Sequence, residues 1–100
     1  MLIALLLAPA LGLAQADAAM EDARCVVAAT KLEEFADEAD KAGVRGTMLF
    51  YLGKLAANHD AGEVRALIGA AEAQVTDNDV PVLGMSCGNA LMDLGKAVGV

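Results

Sequence analysis

Two cysteines, Cys25 and Cys87, have the widest chemical range of any residues in this chain. A thiolate can act as a nucleophile or hold a metal, and two thiols can form a disulfide. Catalytic dithiols usually occur as Cys-x-x-Cys, three positions apart, whereas these cysteines are 62 positions apart. We therefore expect a structural disulfide between Cys25 and Cys87. Two free, buried thiols that behave as small hydrophobic side chains are the alternative.

The remaining polar side chains do not form a recognisable catalytic or metal-binding pattern. His59 is the single histidine and lies in a polar Asn-His-Asp segment, and Ser86 lacks the Gly-x-Ser-x-Gly context of a hydrolase nucleophile. One histidine and two oxidised cysteines cannot build a zinc tetrahedron. We predict a protein that is not an enzyme, with no catalytic residue, no cofactor and no metal.

Two groups of residues could in principle bind a metal, but an ordinary structural role is the simpler interpretation of each. Thioethers bind Cu(I) when they are gathered together, although methionines at helical spacing usually belong to a core. Clustered carboxylates can collect Ca²⁺, but this cluster lacks the turn-forming glycine of a calcium loop and is typical of a solvated helix face. The residues concerned are Met48, Met85 and Met92 for copper and Glu33, Glu34, Asp37, Glu38 and Asp40 for calcium.

The first 16 residues have the composition of a signal peptide. Residues 1–13 are uncharged and apolar, long enough for the hydrophobic region of a leader and too short to span a bilayer. Small-x-small sites then allow cleavage after Ala16 or Ala18, and we favour Ala16. A buried N-terminal helix is the alternative. The expected domains are a signal peptide over 1–16 and a single helical domain over 17–100, located in the periplasm or secreted.

The expected mature domain is small and acidic. The chain has 14 Asp and Glu residues against seven Lys and Arg, a formal net charge of −7, and all of these charges follow residue 16. This charge argues against nucleic acid and anionic membranes as partners. No apolar stretch in the domain is long and uncharged enough for stable membrane insertion. A domain of this size is marginally stable, so a disulfide is expected to matter.

The first two helices are predicted from apolar periodicity and from glycines. We expect one over Met20–Lys41, ended by Gly43 in a left-handed conformation, and a second from Thr47 as N-cap to about Asn58. Their apolar stripes are Cys25, Ala28, Ala29, Leu32, Phe35, Ala36 and Ala39 in the first, and Met48, Leu49, Tyr51, Leu52, Leu55 and Ala56 in the second.

Two further helices complete the predicted fold. Asp60 and Glu63 have the spacing of a capping box, and Asp79 is expected to cap a fourth helix with Pro81 in its first turn. Strand-like alternation is absent. We predict an all-α fold, a small four-helix bundle or three helices plus one, closed by one disulfide. The stripes are Val64, Leu67, Ile68, Ala71 and Val75 in the third helix, and Leu83, Cys87, Ala90, Leu91, Leu94 and Val98 in the fourth.

Small residues recur at helical spacing on the last two helices. Glycine in a helix interior costs up to about 1 kcal/mol relative to alanine, so it is expected to serve a geometric purpose. Close approach of another helix is one purpose, and a ligand or partner lying on this ridge is the other. The ridge comprises Gly84, Gly88 and Gly95 on the fourth helix and Ala66, Gly69, Ala70 and Ala73 on the third.

Three short motifs resemble those of a group of small secreted two-cysteine helical proteins of alphaproteobacteria. They are Arg-Cys-Val-Val-Ala-Ala at 24–29, Leu-Phe-Tyr-Leu-Gly-Lys-Leu at 49–55 and Met-Ser-Cys-Gly at 85–88. The resemblance implies a leader and a two-cysteine helical domain, and it carries over no activity. In size, leader and two-cysteine layout the chain is more distantly similar to the HdeA family of periplasmic acid-stress chaperones.

Two functions remain open at this point. The first is a non-enzymatic periplasmic or secreted helical protein that binds another protein or a small apolar ligand. The second, implied by the layout it shares with the HdeA family, is an acid-responsive chaperone. Protonation of the 14 carboxylates and of His59 would reverse the net charge in acid and weaken carboxylate contacts of the native state.

Overall fold

The residues that the structure describes form four α-helices and contain no strand. In this computed structural model the backbone is described over residues 2–100 and the side chains over residues 17–100. The helices are α1 (Leu2–Phe35), α2 (Glu38–Asn58), α3 (Ala61–Gln74) and α4 (Val80–Ala97). The predicted all-α fold is confirmed. The predicted leader, residues 1–16, lies outside the described side chains, and its cleavage site stays a prediction.

Helix α1 is the centre of the fold. It contacts α2, α3 and α4, whereas α3 and α4 have no contact with each other over the described residues. One stretch of α1 is buried nearly all round because it faces three neighbours, and its small side chains allow those helices to approach closely. This stretch contains Ala19, Ala23, Cys25, Val26, Val27, Ala28 and Ala29.

The boundary between α1 and α2 differs from the prediction. The chain leaves the helix at Ala36 and Asp37, and α2 then runs without interruption through Gly43, Gly46 and Thr47. Glycines were expected to end a helix here, but each costs only about 1 kcal/mol inside one. Asp37 instead occupies the N-cap position, with acidic residues in the first turn of α2, where the helix dipole favours negative charge.

Helices α3 and α4 begin where the sequence predicts, but the N-cap residue of α4 makes a different hydrogen bond from the one expected. At α3 the capping box is complete, because Asp60 accepts a hydrogen bond from the Glu63 backbone N–H (2.8 Å) and the Glu63 side chain accepts one from the Asp60 N–H (3.4 Å). At α4, Asp79 is the N-cap residue but makes no side-chain cap bond. Its carboxylate accepts bonds from the N–H and hydroxyl of Thr76 and holds the turn before α4.

Several residues of the predicted apolar stripes are exposed. Phe35 and Ala39 lie at the α1–α2 break, Leu49 and Ala56 face away from α1, and Ala90, Leu94 and Val98 lie on the outer side of α4. On α4 the buried residues are Val80, Gly84 and Cys87, so the face toward α1 is shorter than predicted. Over the residues that the structure describes, no helix combines the length and apolar composition required to cross a membrane.

Candidate functional site

The predicted disulfide is confirmed and joins α1 to α4. Cys25 and Cys87 are bonded, with a Cα–Cα distance of 5.8 Å, within the usual range for a disulfide. Both residues are nearly inaccessible, with relative exposures of 8% and 3%. With the sulfurs bonded to each other, neither cysteine is available as a nucleophile or metal ligand. The bond connects the central helix to one wall of the groove described below.

Tyr51 anchors α2 at the same point. Its hydroxyl donates a 2.8 Å hydrogen bond to the backbone carbonyl of Cys87. Lys54 lies over the rings of Tyr51 and Phe50 and binds Asp22 of α1 at 3.1 Å. Burial raises the pKa of Tyr51; nearby Lys54 opposes this shift and Asp22 adds to it. The disulfide and Tyr51 together hold α1, α2 and α4 around one buried region.

The glycine ridge of α4 has two different environments. A β-carbon built at Gly84 would overlap the Leu32 side chain of α1, so Gly84 allows close helix approach as predicted. A β-carbon at Gly88 or Gly95, or at Gly69 of α3, would meet no heavy atom within 4 Å. Close packing therefore explains Gly84 alone. Gly88 borders open space.

An open apolar groove lies between the end of α1, the first half of α2 and the exposed side of α4. Its volume is about 790 Å³. We call it the α1–α2–α4 groove. It is lined by Leu32, Phe35, Ala36, Asp40, Gly43, Val44, Thr47, Pro81, Gly84, Met85, Gly88, Asn89, Leu91 and Met92.

The groove presents large apolar side chains to solvent. Phe35 is 81% exposed, Met85 67% and Met92 63%. Apolar side chains that are clustered and exposed mark contact surfaces more often than isolated ones do. Methionine is flexible and polarisable, and it is frequent on surfaces that adapt to different partners. The groove can bind an apolar group but offers no nucleophile or metal ligand set.

The other predicted chemistry is dispersed. Met48 packs against the core, away from Met85 and Met92 in the groove. The acidic cluster spans the α1–α2 break, where Glu33 pairs with Arg45 and Glu38 with Lys41. Over the described residues, no group of three or more His, Cys, Asp or Glu side chains is placed to hold a metal ion.

A second, smaller concavity lies between α2 and α3. It has a volume of about 670 Å³, and Ile68 and Leu52 form part of its apolar wall. His59, beside it at the end of α2, lies 3.5 Å from the Glu63 carboxylate. None of the exposed large apolar side chains lines this concavity, whereas Phe35, Met85 and Met92 line the α1–α2–α4 groove. We therefore regard the α1–α2–α4 groove as the candidate site.

Sequence reasoning identified part of this groove. Gly88 belongs to the predicted ridge, but periodicity predicts Phe35 in the core, and residue type predicts Met85 and Met92 as core residues or, less readily, copper ligands. The sequence does contain a signal for this face. Helical spacing places Met85, Gly88 and Met92 along one side of α4, and this side differs from the one that carries Cys87.

Comparison with known proteins adds no relative. The chain matches no protein-family model, no curated protein and no solved structure.

Proposed function

We propose that this chain is a non-enzymatic helical protein of the periplasm or of the extracellular space that binds an apolar surface of another molecule. The observation that carries this proposal is the exposure of Phe35, Met85 and Met92 around one groove. Burying such side chains against a partner would release apolar surface from water at about 25 cal/mol per Å². A protein partner and a small apolar ligand are both compatible with this chemistry.

The disulfide supports the proposed location. Stable disulfides persist in oxidising compartments and are rare in the reducing cytosol. Cys25 and Cys87 connect the first and last helices of the fold, so the bond is a structural element rather than a reactive pair. An apolar leader before residue 17 would direct the chain to such a compartment.

Binding of a neutral fluorescent dye tests the proposed function. N-phenyl-naphthylamine brightens in apolar surroundings, and we expect saturable enhancement with the oxidised protein. In the double variant Met85→Gln/Met92→Gln the dye should bind at least tenfold more weakly. Leu49→Gln changes another exposed apolar residue of the domain, outside the groove, and should leave binding unchanged. Equal binding by all three proteins would refute the groove as the apolar site.

An acid-responsive chaperone is the second candidate, and the interhelical connections favour it. Hydrogen bonds from the Glu63 and Thr76 groups lower the pKa values of Asp60 and Asp79, respectively. A carboxyl whose pKa is lower in the folded state stabilises the fold above its unfolded pKa, and this contribution is lost as pH falls through the folded value. Acid would therefore weaken the hydrogen bonds that hold the chain at both ends of α3.

A client assay separates the two candidates. At about pH 2–3, below the ordinary carboxyl pKa values, a chaperone should suppress aggregation of an unrelated protein in proportion to its concentration. If the client aggregates equally at every ratio while the dye still binds at neutral pH, the acid-chaperone candidate is rejected and the binding protein remains.

A further inference from the structure

We infer that the occupant of the α1–α2–α4 groove is an amphipathic helix with basic residues beside its apolar face. This inference rests on the proposed binding function and specifies its partner. Three features of the groove carry it: its shape, its glycines and its charge.

The groove is elongated rather than enclosed. Its α4 wall includes Pro81, Met85, Gly88 and Met92, which succeed one another at steps of three or four residues. At 1.5 Å per residue this stripe extends for about 16 Å, the length of roughly three helical turns. A small ligand usually needs a pocket that encloses most of its surface. A helix instead places apolar residues at i, i+3 or i+4 and i+7 along an open groove.

Two glycines allow the backbone of such a helix to approach. Gly43 of α2 and Gly88 of α4 both line the groove, and a β-carbon at either position would meet no heavy atom within 4 Å. Neither glycine is needed for packing inside the protein. The flanking Met85 and Met92 side chains can rearrange around the apolar residues of the incoming helix.

The charge around the groove is negative. Asp40 lines it, and Asp37 is the N-cap residue of α2, three positions before Asp40. Over the described residues neither carboxylate forms a salt bridge, whereas the nearby bases Lys41 and Arg45 are paired with Glu38 and Glu33.

Lys96, one turn beyond Met92, is the single basic residue of α4. The whole chain has a formal charge of −7. This field attracts a cationic partner and repels a second copy of the same chain.

Peptide binding tests the inference with the purified, oxidised protein. We would compare three peptides of about 18 residues, long enough for five turns: an amphipathic Leu/Lys helix, the same design with Glu for Lys, and a shuffled Leu/Lys peptide without an apolar face. The amphipathic Leu/Lys peptide should bind with a Kd on the order of 10 μM and more weakly at high salt. The other two should bind at least tenfold more weakly.

Variants locate the peptide. Gly88→Leu places a side chain in the groove and should weaken binding at least tenfold, while Gly88→Ala tests that the position itself tolerates substitution. Asp37→Asn/Asp40→Asn should weaken the Leu/Lys peptide about threefold and reduce its salt dependence. Leu49→Gln should change nothing.

The possible results are decisive. Equal affinity for the Lys and Glu peptides would show that the partner need not be cationic. Equal affinity for the amphipathic and the shuffled Leu/Lys peptides would show that the partner need not be a helix with an apolar face. If sedimentation shows a dimer that Met85→Gln/Met92→Gln dissociates, the occupant is a second copy and the inference is wrong. If the protein binds the dye but none of the peptides, only this inference is rejected. If it binds neither the dye nor the peptides, the proposed function is rejected as well.

Discussion

The Leu32 side chain lies against the backbone of Gly84, in the space that a β-carbon at residue 84 would occupy. This contact brings α1 and α4 together at the floor of the α1–α2–α4 groove. Four positions along α4, Gly88 faces open groove instead. Two glycines on one helix therefore have opposite structural roles.

Alanine substitutions should separate these roles. Gly84→Ala must displace the Leu32 side chain, which offsets the helix propensity gained, and should stabilise the protein less than Gly88→Ala by about 1 kcal/mol. Gly88→Ala gains helix propensity without a clash and should raise the free energy of unfolding by about 0.5–1 kcal/mol. Urea denaturation measures both. Equal effects of the two substitutions would contradict the assigned contact.

Removing the disulfide should have the largest effect on stability. Cys25→Ser/Cys87→Ser opens a loop with a sequence separation of 62, worth about 4 kcal/mol on the chain-entropy model. A domain of this size has a total stability of roughly 4–13 kcal/mol, so the variant should lose about a third or more of it and melt at a clearly lower temperature. Circular dichroism with and without reductant checks this. A wild-type protein that melts at the same temperature after full reduction would show that the bond is dispensable.

Tyr51 is the only tyrosine and the chain has no tryptophan, so its ionisation can be followed directly. Its pKa is raised by burial. The corresponding stability is fully present below about pH 10, the pKa of an unfolded tyrosine, and is lost as pH rises through the folded value. Ultraviolet titration should show tyrosinate forming above pH 10 together with loss of helicity.

Tyr51→Phe is the matched variant for this measurement. It removes the hydrogen bond to the Cys87 carbonyl and should cost about 1 kcal/mol at neutral pH. Its stability should also depend less on pH in the alkaline range. A tyrosine that ionises at its ordinary pKa with no change in helicity would place the hydroxyl in solvent.

Acid stability should depend on the two carboxylates that begin α3 and precede α4. Asn keeps the capping ability of Asp60 but cannot ionise, so Asp60→Asn/Asp79→Asn should flatten the fall in stability below about pH 4. Because the pKa values of both carboxyl groups are lowered in the folded protein, the free energy of unfolding decreases as these groups take up protons. Denaturant titrations at several pH values measure the slope; an unchanged slope would assign the acid sensitivity to other carboxylates.

Local signals in the sequence predicted much of the fold. The Asp60–Glu63 capping box, Pro81 in the first turn of α4 and the Cys25–Cys87 pairing all occur as expected, because each depends on few residues. The break between α1 and α2 was misplaced because Gly43 and Gly46 suggested a turn. Tertiary packing of α2 along α1 outweighs the cost of two glycines, and Asp37 with the acids after it supplies the better start.

The candidate site was harder to predict from residue types. Periodicity identifies an apolar face but not whether another element covers it, and Phe35 illustrates the difference. It continues the stripe of α1, yet α1 ends there and the side chain is exposed. Leu94 and Val98 similarly extend beyond the part of α4 that contacts α1. Which part of a stripe remains uncovered depends on where the neighbouring helices end.

Amide NMR of the protein with the dye N-phenyl-naphthylamine shows directly whether the α1–α2–α4 groove is the apolar binding site. Glycine amides report on each concavity, since Gly43, Gly84 and Gly88 line the α1–α2–α4 groove and Gly69 lines the hollow between α2 and α3. We expect saturable shifts of the first three amides and none at Gly69. Shifts centred on Gly69, or no shift at Gly43 and Gly88 at saturating dye, would show that the groove is not the binding site.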